Sequence, residues 1–269
     1  MATSAEQTPS PVDLTGEIEV VGRITDSSNL AVLATVSTLP GGHVIYKPVR
    51  GERPLWDFPE GTLAGREVAA CVVSELGGWD VVPPTVMRDG PLGPGSVQLW
   101  IGNPFDPVAD DRVVDLVPEG HTPDGWRAVL DGETPGGAAV TVVHSAADDV
   151  RSLAVLDAAL NNSDRKGSHC LRDEDGRLWA IDHGVTFSPT PKLRTVLWGW
   201  AGEPFTEADT GRLRRLQQAL DDDASRARLD DLLPEPDVAA LVRRVHQLLE
   251  RGVHPFPSPD WPSVPWPPL

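Results

Sequence analysis

Two short polar segments carry the residue types that do chemistry. One is Asp164-Arg165-Lys166-Gly167-Ser168-His169, and the other is Asp182-His183-Gly184. Between them, Cys170-Leu171-Arg172 and Leu178-Trp179-Ala180-Ile181-Asp182 flank the turn Asp173-Glu174-Asp175-Gly176 and read as a hairpin. Loops that bracket a hairpin place their side chains on one edge of the sheet. A carboxylate on each loop then has its own task. One orients or deprotonates a hydroxyl, and the other holds a divalent metal on a nucleotide's phosphates. The turn itself is not a calcium loop, because its glycine falls at position 4 rather than 6.

The elements that must position these loops are legible on both sides of them. Glu17–Ile24, Leu30–Val36 and His43–Pro48 are short β-rich runs separated by Asp26-Ser27-Ser28-Asn29 and by Leu39-Pro40-Gly41-Gly42, an antiparallel meander. Apolar residues three and four apart predict a helix over Leu63–Leu76, with Thr62 as N-cap and Gly77-Gly78 as the stop. Val81–Val86 and Ser96–Ile101 read as two more strands. Residues 103–148 are rich in Pro, Gly and Asp and read as a loop-rich connection, with short strands around Ala138–Val143. Helical periodicity returns at Val150, Leu153, Ala154, Leu156, Asp157 and Leu160. Two further helices are expected at about 207–222 and 237–251. Asp221-Asp222-Asp223 reads as a solvated helix end, and Trp198-Gly199-Trp200 as packing.

Composition narrows the function class. The chain has 269 residues, 23 Lys plus Arg and 40 Asp plus Glu, for a formal net charge of −17. That balance opposes binding to a phosphate backbone or to an anionic membrane surface. Two cysteines make neither a disulfide framework nor a four-thiolate zinc site. The first residues have no basic segment followed by an apolar one, and no apolar run of about 20 residues occurs. A cytoplasmic protein is expected, without nucleic-acid or integral membrane partners. The 27 prolines collect in the connections from Pro83 to Pro135 and after Pro255.

The small β-rich part, the Lys47 strand, the Glu67 helix and the paired loops together resemble a protein-kinase-like fold. The nearest branch is the bacterial, actinobacterial phosphatidylinositol 3/4-kinase-like family. Its pattern is an Asp-Arg catalytic loop ending in Asn, then Asp-x-Gly after a hairpin. This sequence has Asn162-Ser163-Asp164-Arg165-Lys166-Gly167-Ser168-His169 and Ala180-Ile181-Asp182-His183-Gly184. Val44–Pro48 resembles the strand with the ATP-phosphate lysine, and Ser96–Ile101 the strand leading to the adenine hinge. The resemblance spans about residues 18–225.

It implies an α+β fold in two lobes: a small antiparallel β lobe with one main helix, and a larger, mainly helical lobe. The expected division is a disordered 1–14, a nucleotide-binding lobe 15–102, a catalytic lobe 103–254 and a Pro/Trp-rich tail 255–269. It implies ATP and Mg²⁺ or Mn²⁺ as cofactors, and a protein or small soluble hydroxyl compound as acceptor. Lys47 would pair with the α/β-phosphates and Glu67 would hold it there. Ser27, Ser28 and Asn29 would cover phosphate, and Gln98, Trp100 and Ile101 would border the adenine. Asp164 would orient the acceptor hydroxyl, with Arg165 and Lys166 supplying charge beside it. Asp182 would bind the metal.

His169 stands where the family has a metal-binding Asn. Imidazole is a poorer magnesium ligand than an amide or carboxylate oxygen. Four roles stay open for His169: a Mn²⁺ ligand, a phosphate contact, a phosphoryl acceptor, or a structural hydrogen-bonding residue. Two alternatives to an active kinase stay open with it, a pseudokinase or nucleotide-binding scaffold and an AMP transferase. The tail either packs its aromatics on the large lobe or serves as a polyproline ligand.

Overall fold

The structure is a computed structural model that describes residues 12–25, 29–53, 55, 58, 63–105 and 112–269. The predicted phosphate-covering residues Ser27 and Ser28, and the predicted N-cap Thr62, lie outside the described residues.

The meander exists. β1 (Ile18–Ile24), β2 (Ala31–Val36), β3 (Val44–Pro48), β4 (Thr85–Gly90) and β5 (Gly93–Leu99) form one antiparallel sheet in the order β1-β2-β3-β5-β4. Alternation along β3 sorts its side chains. Val44 and Tyr46 join Leu14, Ile18, Val32, Ala34, Val36 and Val97 in a small core. Lys47 therefore faces the other way, on the side covered by α1 (Leu63–Gly77). The strand expected at Val81 begins only at Thr85. Val81 and Val82 instead turn their N–H groups onto the Ser74 hydroxyl, and Val81 lends its carbonyl to Ala180.

Helix α1 is buried on nearly every side, as expected of a helix rich in Ala, Val and Gly with little amphipathic contrast. Its first turn is capped from outside the helix. Glu52 accepts hydrogen bonds from the Leu63 and Ala64 N–H groups at 3.2 and 2.8 Å. Its flank packs into the larger core, and Arg66 pairs with Asp237 at 2.5 Å.

That larger body contains α2 (Asp148–Leu160), a hairpin of β9 (Cys170–Arg172) and β10 (Leu178–Ala180), and three C-terminal helices. The helices are α3 (Glu207–Leu220), α4 (Asp223–Asp230) and α5 (Glu235–Arg251). Helix α4 was not expected. Within the acidic triplet, Asp222 is its N-cap and accepts from the Ser225 N–H at 2.9 Å. The stretch read as loop-rich also differs. It holds β6 (Val114–Pro118), β7 (Trp126–Glu133) and β8 (Ala139–Ser145), paired in the order β6-β8-β7. Exposure of one face and a bulge between Ala128 and Leu130 erase the period-2 signal in β7.

The tail packs. Ser263 O accepts from Thr195 N and Trp198 Nε1, Val264 lies against the large core, and Pro265 is buried. Phe256 and Trp266 stay exposed. The architecture is thus α+β with a small antiparallel β lobe and a larger, mainly helical lobe. Among the described residues, no helix is long and apolar enough to cross a membrane.

Candidate active site

Three elements meet at the Lys47 ammonium, and a fourth reaches it through Asp182. β3 brings Lys47, α1 brings Glu67, and Asp182 stands two residues past β10. Lys47 Nζ lies 2.5 Å from Glu67 Oε1 and 3.0 Å from Asp182 Oδ1. The 3-10 turn at 167–169 adds His169, whose Nε2 is 3.3 Å from Asp182 Oδ2. Glu67 is held at both oxygens, since its Oε2 accepts from the His183 N–H at 2.9 Å.

Burial and charge act against each other here. Burial alone would lower the Lys47 pKa, but Asp182 and then Glu67 outweigh it and hold the ammonium charged. The Lys47 charge keeps the Asp182 carboxyl well below the usual carboxylate range. Burial raises Glu67 against the pull of Lys47. Burial also lowers His169, with Asp182 opposing. Burial leads in this balance and biases the imidazole toward its neutral form.

Asp182 sits at φ +60°, in the left-handed region. Asp tolerates that conformation better than most residues, and such outliers concentrate at functional sites. Its side chain keeps 49% exposure, so the carboxylate is open to the cleft while paired.

The second loop is built from the interior outward. Arg165, expected among the catalytic cations, is fully buried. It bonds Asp157 through Nε and Nη2, and the carbonyls of His169 and Ile181 through Nη1. Its Nη2 is also 2.7 Å from His183 Nε2, which must therefore accept, and burial keeps that imidazole neutral. Arg165 thus ties the two loops together from beneath, its guanidinium shut off from solvent while its charge still acts on His169. Asp164 and Lys166 point outward and pair at 3.0 Å, each partly exposed. Their opposite charges both reach His169.

The remaining predicted residues are dispersed. Gln98 lies on the same sheet face as Lys47 but is buried, its amide donating to Thr85 Oγ1 at 2.8 Å. Trp100 and Ile101 are half-buried after β5, and the Trp100 N–H is taken by His43 O. Asn29 accepts from the Arg53 N–H. Two supporting residues escaped the sequence reading as site members, Asp157 and His183. The signal for Asp157 was present: a carboxylate on an apolar helical stripe needs a buried cationic partner.

The donor set suits a divalent ion held jointly with phosphates. Asp182 offers hard oxygens, while His169 turns Nε2 toward one of them as a donor, which leaves its lone pair on the buried Nδ1. Among the described residues, no group of three or more His, Cys, Asp and Glu is gathered to hold a metal unaided.

The chain is 43% identical over 260 residues to Protein Rv2133c of Mycobacterium tuberculosis, covering 94% of this chain and 92% of that one. The chain belongs to that protein's family. No family model matches it. A crystal structure of the Helicobacter pylori proinflammatory kinase CtkA aligns at 11% identity with a TM-score of 0.47. That alignment covers 89% of this chain and 93% of CtkA, a likeness too loose to bear on function.

Proposed function

We propose that this protein is an ATP-dependent phosphotransferase of the protein-kinase-like type, resembling the phosphatidylinositol 3/4-kinase branch. One observation carries the reading. Lys47 Nζ is clasped by Glu67 and Asp182, which come from an N-terminal helix and from a loop 135 residues downstream. That is the arrangement a nucleotide site needs to aim a lysine at phosphates. Lys47 then binds the α/β-phosphates, and Glu67 fixes its direction. Asp182, with His169 beside it, holds Mg²⁺ or Mn²⁺. When bound, that ion neutralises charge developing on the phosphoryl oxygens. Asp164 accepts the proton of the incoming hydroxyl, and Lys166 offsets charge next to it. The acceptor is a protein or a small soluble hydroxyl compound. A chain of net charge −17 is a poor match for an anionic lipid surface.

The test is thermal stabilisation by ATP with Mg²⁺ or Mn²⁺, together with phosphoryl release or transfer. Asp182→Ala should abolish both. Retention of nucleotide binding and transfer by that variant overturns the assignment.

A second reading, nucleotide binding without turnover, is favoured by His169 standing in place of an oxygen ligand. It predicts a thermal shift with ATP but no γ-phosphate transfer, and no difference between the wild type and Asp164→Ala. Transfer of AMP instead of phosphate would appear in the mass of the product.

A further inference from the structure

The loop that carries Asp164 and Lys166 is not held by its own lobe alone. Several of its backbone donors find acceptors nearby. Asp164 N–H goes to Asn162 Oδ1, Arg165 N–H to Arg194 O, and His169 N–H to Lys166 O. The Gly167 N–H goes to Pro268 O at 2.8 Å, an acceptor about a hundred residues away in the tail. Gly167 has no room for a side chain. A β-carbon there would come within 2.9 Å of Leu269 Cδ2 and equally of Val114 Cβ on β6. The loop is therefore clamped between the tail and β6 at the one position where only a glycine fits.

The tail is itself anchored. Ser263 O takes the Thr195 N–H at 3.0 Å and the Trp198 indole at 2.8 Å, while Lys192 Nζ stands 5.2 Å over the Trp261 ring. Residues 194–196 in turn bond the Arg165 backbone from both sides, through Arg165 N–H to Arg194 O and Val196 N–H to Arg165 O. Tail, middle segment and loop are thus tied to one another backbone to backbone.

We propose that residues 263–268 are a strap that positions the Asp164–His169 loop for transfer; this rests on the phosphotransferase reading. The strap holds the loop without covering it. With the tail docked, the side chains of Asp164 and Lys166 remain 30% and 23% exposed, so an acceptor still has access. A tail that blocked the site would bury them.

The test uses the full chain and a chain ending at Pro267, which lacks the Gly167 acceptor but keeps the Ser263 anchors. Gly167→Ala is the second variant, because it wedges Leu269 and Val114 apart with the chain intact. Three readouts are taken on each: amide exchange over 164–169, the ATP-dependent thermal shift, and the transfer rate. Exchange at Gly167 should quicken by about tenfold or more. The midpoint for ATP without metal should stay unchanged, because Lys47 and Glu67 lie off this loop, while kcat falls by about tenfold or more through misplacement of Asp164. A merely structural tail would move nucleotide binding and kcat together. Unaltered exchange at 164–169 overturns the strap. Faster transfer in the shortened chain also overturns it, since the tail would then be a screen. If the full chain shows no nucleotide effect at all, the phosphotransferase reading fails, and exchange alone decides whether the strap holds the loop.

Discussion

Arg165 closes on Asp157 in the interior, with Nε 2.9 Å from Oδ2 and Nη2 3.0 Å from Oδ1, and neither side chain is exposed. A pair this buried contributes little as an ion pair in isolation. Removing one member, however, strands a charge.

Asp157→Ala should therefore destabilise the fold by roughly 3–5 kcal/mol, measured by urea unfolding. Replacing both partners with apolar residues, Asp157→Leu with Arg165→Met, should restore much of that loss. Activity should not return, because the ties to His169 O, Ile181 O and His183 Nε2 are gone. Recovery of stability and transfer together would mean that Arg165 is only ballast.

Lys47→Met removes the cation between two carboxylates. Transfer should fall by about a hundredfold or more, in line with loss of one preorganised charge at developing phosphate charge. The ATP-dependent thermal shift should shrink, while circular dichroism stays native. A variant that binds and transfers like the wild type would show that Lys47 is an ordinary strand residue.

Gly65 lies where α1 crosses the chain at Leu232, and a β-carbon there would stand 2.5 Å from the Leu232 carbonyl oxygen. In a free helix Gly→Ala would stabilise by about 0.5–1 kcal/mol. Here overpacking against backbone should dominate, and Gly65→Ala should destabilise by roughly 1–3 kcal/mol. The shift also tilts Glu67, two residues on. Nucleotide affinity should therefore fall with stability, which a calorimetric titration will show.

His144 predicts a pH dependence. Its Nε2 accepts from the Gly199 N–H, so the proton sits on Nδ1 facing Ser145 O. Burial pushes its pKa down to about 4. The unfolded value is about 6.5. A group with a depressed folded pKa that is neutral when folded favours the fold fully above pH 6.5. That contribution is lost as pH falls from about 6.5 towards 4. Unfolding free energy should decline over that window, and His144→Gln should flatten the slope. An equal slope in the variant would assign the loss to other groups, such as His254, whose pKa burial also lowers to about 4.

What could be read without coordinates followed from local rules. Lys47 on a strand, Glu67 on a helix and the two loops around a hairpin are short-range patterns, and each lies on the element expected for it. Strand register was harder. Pro83-Pro84 delayed β4 because Val81 and Val82 were drawn to the Ser74 hydroxyl, a contact invisible to periodicity. β6 and β7 were missed because a half-exposed, bulged sheet has no clean alternation. Arg165 was the instructive residue. Its type and loop position pointed to the cleft, while Asp157, eight residues earlier on an apolar stripe, pointed inward. The buried carboxylate won because an unpaired charge on that face costs more than turning one guanidinium away from solvent.

Helix α1 is wedged on nearly every side, capped by Glu52, pinned to α5 by the Arg66–Asp237 pair and pressed at Gly65 against Leu232. These contacts hold Glu67 in the position where it clasps Lys47. A change that loosened any one of these three contacts would therefore be felt at Lys47 through Glu67, even though Glu52, Asp237 and Leu232 touch neither residue of the clasp.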